Sequence, residues 1–230
     1  MQRSQLEQAQ WDARREAAPF ILAAAAADVA LAVMSARHNW SLFRAGDWWV
    51  WLVLALPTVI LAVIFALGFG RRGPSNEHRR SFALVLLAIL AISNLVGISL
   101  VLGAVLGGHD GLTGGQLLAT STVVLTVNMI TFALIFWEVD CGGPIARAVA
   151  GNRMNPDFRF PQDETPAVSG DGWVPRLTDY LYVSLTNSVA FSPTDAMPLS
   201  SRAKLFMGLE SVVAAATVLI VAARAVNFVS

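Results

Sequence analysis

The chain has 230 residues, 55% of them hydrophobic and only 14% charged, and its sixteen basic and sixteen acidic side chains leave no formal net charge. A mean hydropathy of +0.58, with a charged fraction well below the roughly one quarter usual in soluble domains, excludes a single water-soluble core. The neutral balance leaves no electrostatic footprint for nucleic acid, and the single cysteine, Cys141, excludes an intrachain disulfide.

In chain order, residues 1–18 carry Glu7, Asp12 and Glu16 and lack the compact basic region of a signal peptide, so the first apolar helix is expected to be retained. Ser4 and Glu7 have capping-box spacing while Leu6, Ala9 and Ala13 share a face, which predicts a polar or interfacial helix. Apolar blocks follow from Phe20 to Ala36, Trp48 to Phe69, Phe82 to Leu106, Leu117 to Trp137 and Leu205 to Val229. Each is near the roughly 20 residues that carry a helix across a bilayer. Backbone polar groups in lipid must be answered within their own segment, and none of the blocks alternates polar with apolar as a barrel strand would. The fold class expected is therefore all-α: a polytopic membrane protein with a four-helix unit over 19–138, a polar connection over 139–178 and a final unit over 179–230.

The turns place the faces. Trp40, Trp48, Trp49 and Trp51 gather around the first turn, where indole rings favour the headgroup level. The next turn, GRRGPSNEHRR, presents Arg71, Arg72, Arg79 and Arg80 and marks the opposite, cytoplasmic face. The connection after Trp137 is longer than a link requires, and its NPDFRFPQ stretch favours an ordered cap. His38, His78 and His109 have no metal-site spacing, so neither a metal nor another cofactor is expected.

Polar residues inside apolar blocks are functional candidates by default. Asp28 and Glu210 are the two acids of this kind. Asp28 is expected to pair with a neighbouring helix; Glu210 either serves a pore or subunit interface or bonds to hydroxyls of the preceding segment. Asn94 and Asn128 are expected to bond between helices. Small residues at Gly208, Ala214, Ala215 and Ala216 permit close packing.

The segment DYLYVSLTNSVAFSPTDAMP, Asp179 to Pro198, is short and hydroxyl-rich. Tyr180, Leu181, Val183 and Leu185 supply apolar contact; Ser184, Thr186, Asn187 and Ser188 would be costly against lipid. Pro193 and Pro198 stop the helix. A half-helix followed by extended backbone persists at membrane depth only where protein or a watery cavity shelters it, so a re-entrant segment is expected. Thr186, Ser188, Ser192 and Thr194 either line a permeation path or serve as caps and turn residues, and Asp195 is either a turn acid or a cation-concentrating group at a loop mouth.

Asp179, Leu181, Tyr182, Ser184, Asp195 and Pro198, followed by a last apolar helix, resemble the pore loop and inner helix of the potassium-channel superfamily over roughly the last fifty residues. The resemblance implies a loop-helix framework at Asp179, Tyr182, Ser184 and Pro198, a filter at Ala190, Phe191, Ser192, Pro193 and Thr194, and a homotetramer around a shared axis. Neither filter glycine is present, so potassium selectivity does not carry over. The layout is also similar to an uncharacterised family of bacterial multi-pass proteins of unknown function. The shared words are the Arg-rich turn, the late Asp-x-Leu-Tyr and a final helix ending Ala225, Val226, Asn227. That likeness implies a bacterial inner-membrane location.

With five crossings and the N-terminus inside, thirteen of the sixteen Lys and Arg are cytoplasmic, leaving Arg37, Arg44 and Arg224 outside. The pore-like loop would then enter from the cytoplasm, inverted as in glutamate-receptor channels. The alternative, in which 179–195 spans and both termini lie inside, asks too much of so short a segment. The function expected is passive permeation by a homo-oligomeric channel with membrane lipid and inorganic ions as partners. The alternative is a non-conducting scaffold or sensor whose long connection binds a partner. An enzyme is not expected, because no nucleophile-base pair or ligand cluster is evident.

Overall fold

The computed structural model describes residues 2–38, 40, 49–67, 76–106, 113–150, 155–165, 173–190 and 195–227. Its elements are α1 (Gln2–Arg37), α2 (Trp49–Leu67), α3 (Asn76–Leu106), α4 (Gly114–Val139), a 3-10 turn (Asp140–Gly142), α5 (Pro144–Ala150), β1 (Phe158–Arg159), α6 (Pro161–Glu164), α7 (Leu177–Val189), β2 (Met197–Pro198) and α8 (Ser201–Asn227). The polar leader and the first apolar block form one helix of 36 residues, with Pro19 inside it. Buried Ala17 and Ile21 flank Pro19, so packing continues on both sides of the proline.

Among the described residues, three helices are long and apolar enough to cross a membrane, over Gln5–Arg37, Arg80–Gly103 and Gly114–Gly142; the described apolar stretch of α2, Trp49–Ile64, is shorter. Their outer faces are reversed relative to a soluble bundle. Val85, Ile89, Ile92 and Val96 lie on one exposed stripe of α3, and Leu52, Leu56, Ile60 and Val63 form another on α2. Such stripes cost free energy in water and none in hydrocarbon.

α4 is the centre. Every residue from Ile130 to Trp137 is buried, as expected for a helix enclosed on all sides, and α4 packs against α1, α3, α7 and α8. Its start is fixed by a capping box in which Thr113 accepts from the Gln116 N–H and the Gln116 side chain accepts from the Thr113 N–H. Neighbouring helices are joined by single polar bonds. Thr58 of α2 donates to Asp28 of α1, and Asn94 of α3 donates to Thr131 of α4 at 2.9 Å. Pro57 has no N–H for the Val53 carbonyl, and Ser93 of α3 donates to the next carbonyl, Leu54, at 3.0 Å. Two partners foreseen from the sequence, Asp28 and Asn94, thus bond between helices. Asn128 is buried with its Nδ2 unpartnered among the described residues.

The chain leaves α4 through three consecutive residues with positive φ: Cys141 (52°), Gly142 (83°) and Gly143 (99°). A Cβ at Gly143 would stand 3.0 Å from Glu138 Oε1 and 3.3 Å from the Glu138 carbonyl, so both the space and the dihedral demand glycine. Gly143→Ala is expected to cost about 1–2 kcal/mol, read as a lower thermal unfolding midpoint of the detergent-solubilised protein.

Candidate functional site

Two buried carboxylates organise the second half of the chain. Ser184, Asn187 and Ser188 are spaced i, i+3, i+4 and therefore share one face of α7; Met207, Glu210 and Ser211 do the same on α8. These faces meet. Glu210, fully buried, accepts from Ser184 and, at 3.1 Å, from Ser188 on Oε1, while its Oε2 accepts from Asn187 Nδ2 at 2.7 Å. Asn187 Nδ2 also donates to the Met207 carbonyl at 2.9 Å, and its Oδ1 accepts from Ser211 at 2.9 Å. Ser184 also lies 2.8 Å from the Met129 carbonyl of α4, and its one hydrogen serves either acceptor at a time. Of the two roles open to Glu210 from the sequence, the bond to the preceding segment's hydroxyls is the one observed.

The second carboxylate is Asp140, fully buried at the end of α4. Its Oδ1 accepts the backbone N–H of Asp157 at 2.6 Å and of Phe158 at 3.2 Å, and its Oδ2 accepts the Tyr180 hydroxyl. Arg147 donates to the Trp137 and Asp140 carbonyls at 2.9 and 2.6 Å. Phe136, Phe158, Phe160, Tyr180 and Trp173 form a chain of tilted and edge-on ring contacts around it. The NPDFRFPQ stretch is accordingly an ordered cap.

That cap, together with Asp140 beneath it and Glu16 of α1, holds both ends of the segment from 177 to 200. At the start, Leu177 N–H donates to Glu16, Asp179 accepts the Arg176 N–H at 2.7 Å, and Tyr180 reaches Asp140. At the return, Pro198 and Met197 pair antiparallel with Phe158 and Arg159, and Leu199 N–H donates to the Asp157 carbonyl at 2.7 Å. Arg202 then grips Asp157 with Nε and Nη2, both at 2.6 Å, and Ser200 donates to the same carboxylate. From this shared end α7 and α8 run side by side, since Ser184, Asn187 and Ser188 meet Met207, Glu210 and Ser211 further along both helices.

The remaining sequence candidates are placed as follows. Thr186 is 2.9 Å from the Tyr182 carbonyl of its own helix, and Ala190 N–H closes that helix on the Thr186 carbonyl at 2.8 Å. Tyr182, Ala190 and Asp195 are exposed. Phe191, Ser192, Pro193 and Thr194 lie outside the described residues. Asp140, Arg147, Asp157 and Arg202 were not singled out by sequence reasoning. The available signal was one acid directly after the apolar α4 and another, within the polar connection, directly before the aromatic FRF. Protein-family models, curated proteins and solved structures were compared with the chain, and none matches.

Two outcomes follow from these bonds. Glu210→Ala would strand the Ser188 hydroxyl and one N–H of Asn187, at about 1–3 kcal/mol each, and leave Ser184 only the Met129 carbonyl, whereas Ser211→Ala removes one partner of Asn187 and leaves the carboxylate served. The unfolding midpoint is expected to fall much further for the first. Burial alone would raise the Asp157 pKa, but the bonds from Arg202 and Ser200 and the Arg202 charge outweigh it and hold the carboxyl below its ordinary value. Ionised Asp157 therefore stabilises the fold above the usual aspartate pKa of about 4, and that contribution is lost as pH falls through the lowered value. Asp157→Asn is expected to reduce stability at pH 7 and to flatten its decline on acidification, as followed by unfolding midpoints from neutral to acid pH.

Proposed function

We propose that the chain is a channel-like, multi-pass protein of the bacterial inner membrane, in which α1 to α4 and α8 cross the bilayer and α7 with the residues after it forms a re-entrant hairpin. The reading rests on one observation above all: both ends of 177–200 return to the stretch Phe158–Phe160, Tyr180 by ring contacts with Phe158 and Phe160 and Met197–Pro198 by antiparallel pairing. Its length agrees, because 13 residues of α7 extend about 20 Å, short of the roughly 30 Å of hydrocarbon. α7 then corresponds to the short helix of a pore loop and α8 to an inner helix.

The geometry also reassigns the lining. Asn187 and Ser188 are consumed by Glu210 and act as the seat of the helix. A permeation path would fall to residues 190–195, with Asp195 at its mouth. One chain contributes one copy of that segment, so the function requires sister copies around an axis, four by resemblance. The exposed apolar residues Val189, Leu205 and Val212, at 67%, 69% and 68%, supply a face on which copies can meet.

A non-conducting scaffold or sensor is the second reading. Its support is that the whole polar face of α7 is satisfied inside its own chain, leaving the cap as the partner surface. Purified protein in liposomes separates the two. The channel reading expects cation flux, reduced several-fold by Asp195→Ala as the local field of several carboxylates is removed, and an oligomer on cross-linking. Sealed vesicles carrying a well-formed oligomer support the scaffold. A monomer with sealed vesicles sinks the channel reading. For the hairpin, single cysteines at Arg176 and Leu199 in a Cys141→Ser background are expected to react with an impermeant thiol reagent from one side only. Labelling from opposite sides would make 177–199 a crossing.

A further inference from the structure

We propose that the cleft between the N-terminal part of α1, α5 and residues 173–176 binds a zwitterionic phosphate-ammonium group, the chemistry shared by an aminophospholipid headgroup and a free phosphorylated amino alcohol. The cleft encloses about 470 Å³, within the range of small-ligand sites. The side chains that matter are Asp12, Glu16, Trp137, Arg147, Trp173 and Arg176.

Arg147 gives the strongest reason to expect a ligand. It is 1% exposed, its Nη1 is spent on two carbonyls, and its Nε and Nη2 have no partner among the described residues. A buried guanidinium with unanswered N–H groups is costly, and its fork matches the oxygens of a phosphate. The same cleft carries Arg176 and, against them, Asp12 and Glu16. A simple anion would meet two carboxylates and a simple cation two guanidiniums. A group bearing both signs answers all four. Trp137 and Trp173 add indole surfaces suited to an ammonium.

The depth fits a headgroup. Asp12 and Glu16 lie in the polar leader before the apolar block that starts at Phe20, and Trp137 closes the fully buried run of α4, so the cleft lies beside the polar ends of two apolar blocks. Asp12 and Arg176 are exposed, so their side chains can be changed without opening the core.

The test uses the full chain in detergent. Retention of phosphatidylethanolamine and of phosphatidylglycerol with the same acyl chains is counted by native mass spectrometry, and O-phosphoethanolamine is titrated while thermal unfolding is followed. Wild-type protein is expected to retain the zwitterionic lipid about tenfold better, the worth of one satisfied charge pair. Asp12→Asn should bring that ratio towards unity, and Arg176→Gln should weaken both lipids, with the unfolding midpoints of both unliganded variants unchanged. Protection by O-phosphoethanolamine without lipid preference would support the chemistry and assign a soluble ligand; lipid preference without such protection would assign the membrane. Equal retention of the two lipids together with no protection by O-phosphoethanolamine would overturn the proposal, as would ratios unaltered in both variants.

Discussion

The fold of the second half depends on a carboxylate that has left water. Asp140 is an acid at a fully buried position, and such a group persists only where donors replace its hydration. Those donors come from three separate parts of the chain: the Asp157 and Phe158 backbone, the Tyr180 hydroxyl and the Arg147 neighbourhood. To be satisfied, Asp140 must draw the polar connection back over the end of α4 and bring the start of α7 to the same point. The aromatic rings packed around it exclude water, which makes each of these bonds worth more and the loss of any one costlier.

Glu210 repeats this logic deeper in the bundle with a different set of partners. The Asp140 donors lie up to 40 residues from it in sequence, whereas the side-chain donors to Glu210 come from one helical face, Ser184, Asn187 and Ser188. The first therefore fixes topology and the second fixes the register and rotation of α7 against α8. A one-residue slip of α7 would turn its three donors away from the acid and leave all of them unpaired in an apolar setting. Register is thus specified by polar matching where outward apolar stripes, tolerant of many rotations in lipid, could not specify it.

Much of this was legible in advance. The apolar blocks announced helices because their length and lack of alternation left no other structure for the backbone, and Asp28, Asn94 and Glu210 announced partners because a polar side chain in such a block must find one. The short segment before the last helix could be read as a half-helix from Pro193 and its hydroxyls. Its inward face could not, since spacing gives a shared face but not the direction in which that face turns. The cap was harder still. Asp140 and Asp157 lie in a stretch rich in Gly, Pro and charge, where an acid is ordinarily solvated, and only the three-dimensional return of Phe158 and Pro198 to one another buries them. The continuity of α1 through Pro19 was similarly decided by packing at Ala17 and Ile21 over local preference.

The two carboxylates divide the labour between what must be rigid and what is left to function. Away from the bonds at 177–180 and 197–202, and from Glu210 on the middle of α7, the side chains of Ala190 and Asp195 are exposed, and Ala190 closes α7 through its backbone N–H. Either side chain can change while those supports stay in place. A segment aimed by a rigid scaffold yet exempt from holding it together is where a membrane protein can place selectivity or recognition.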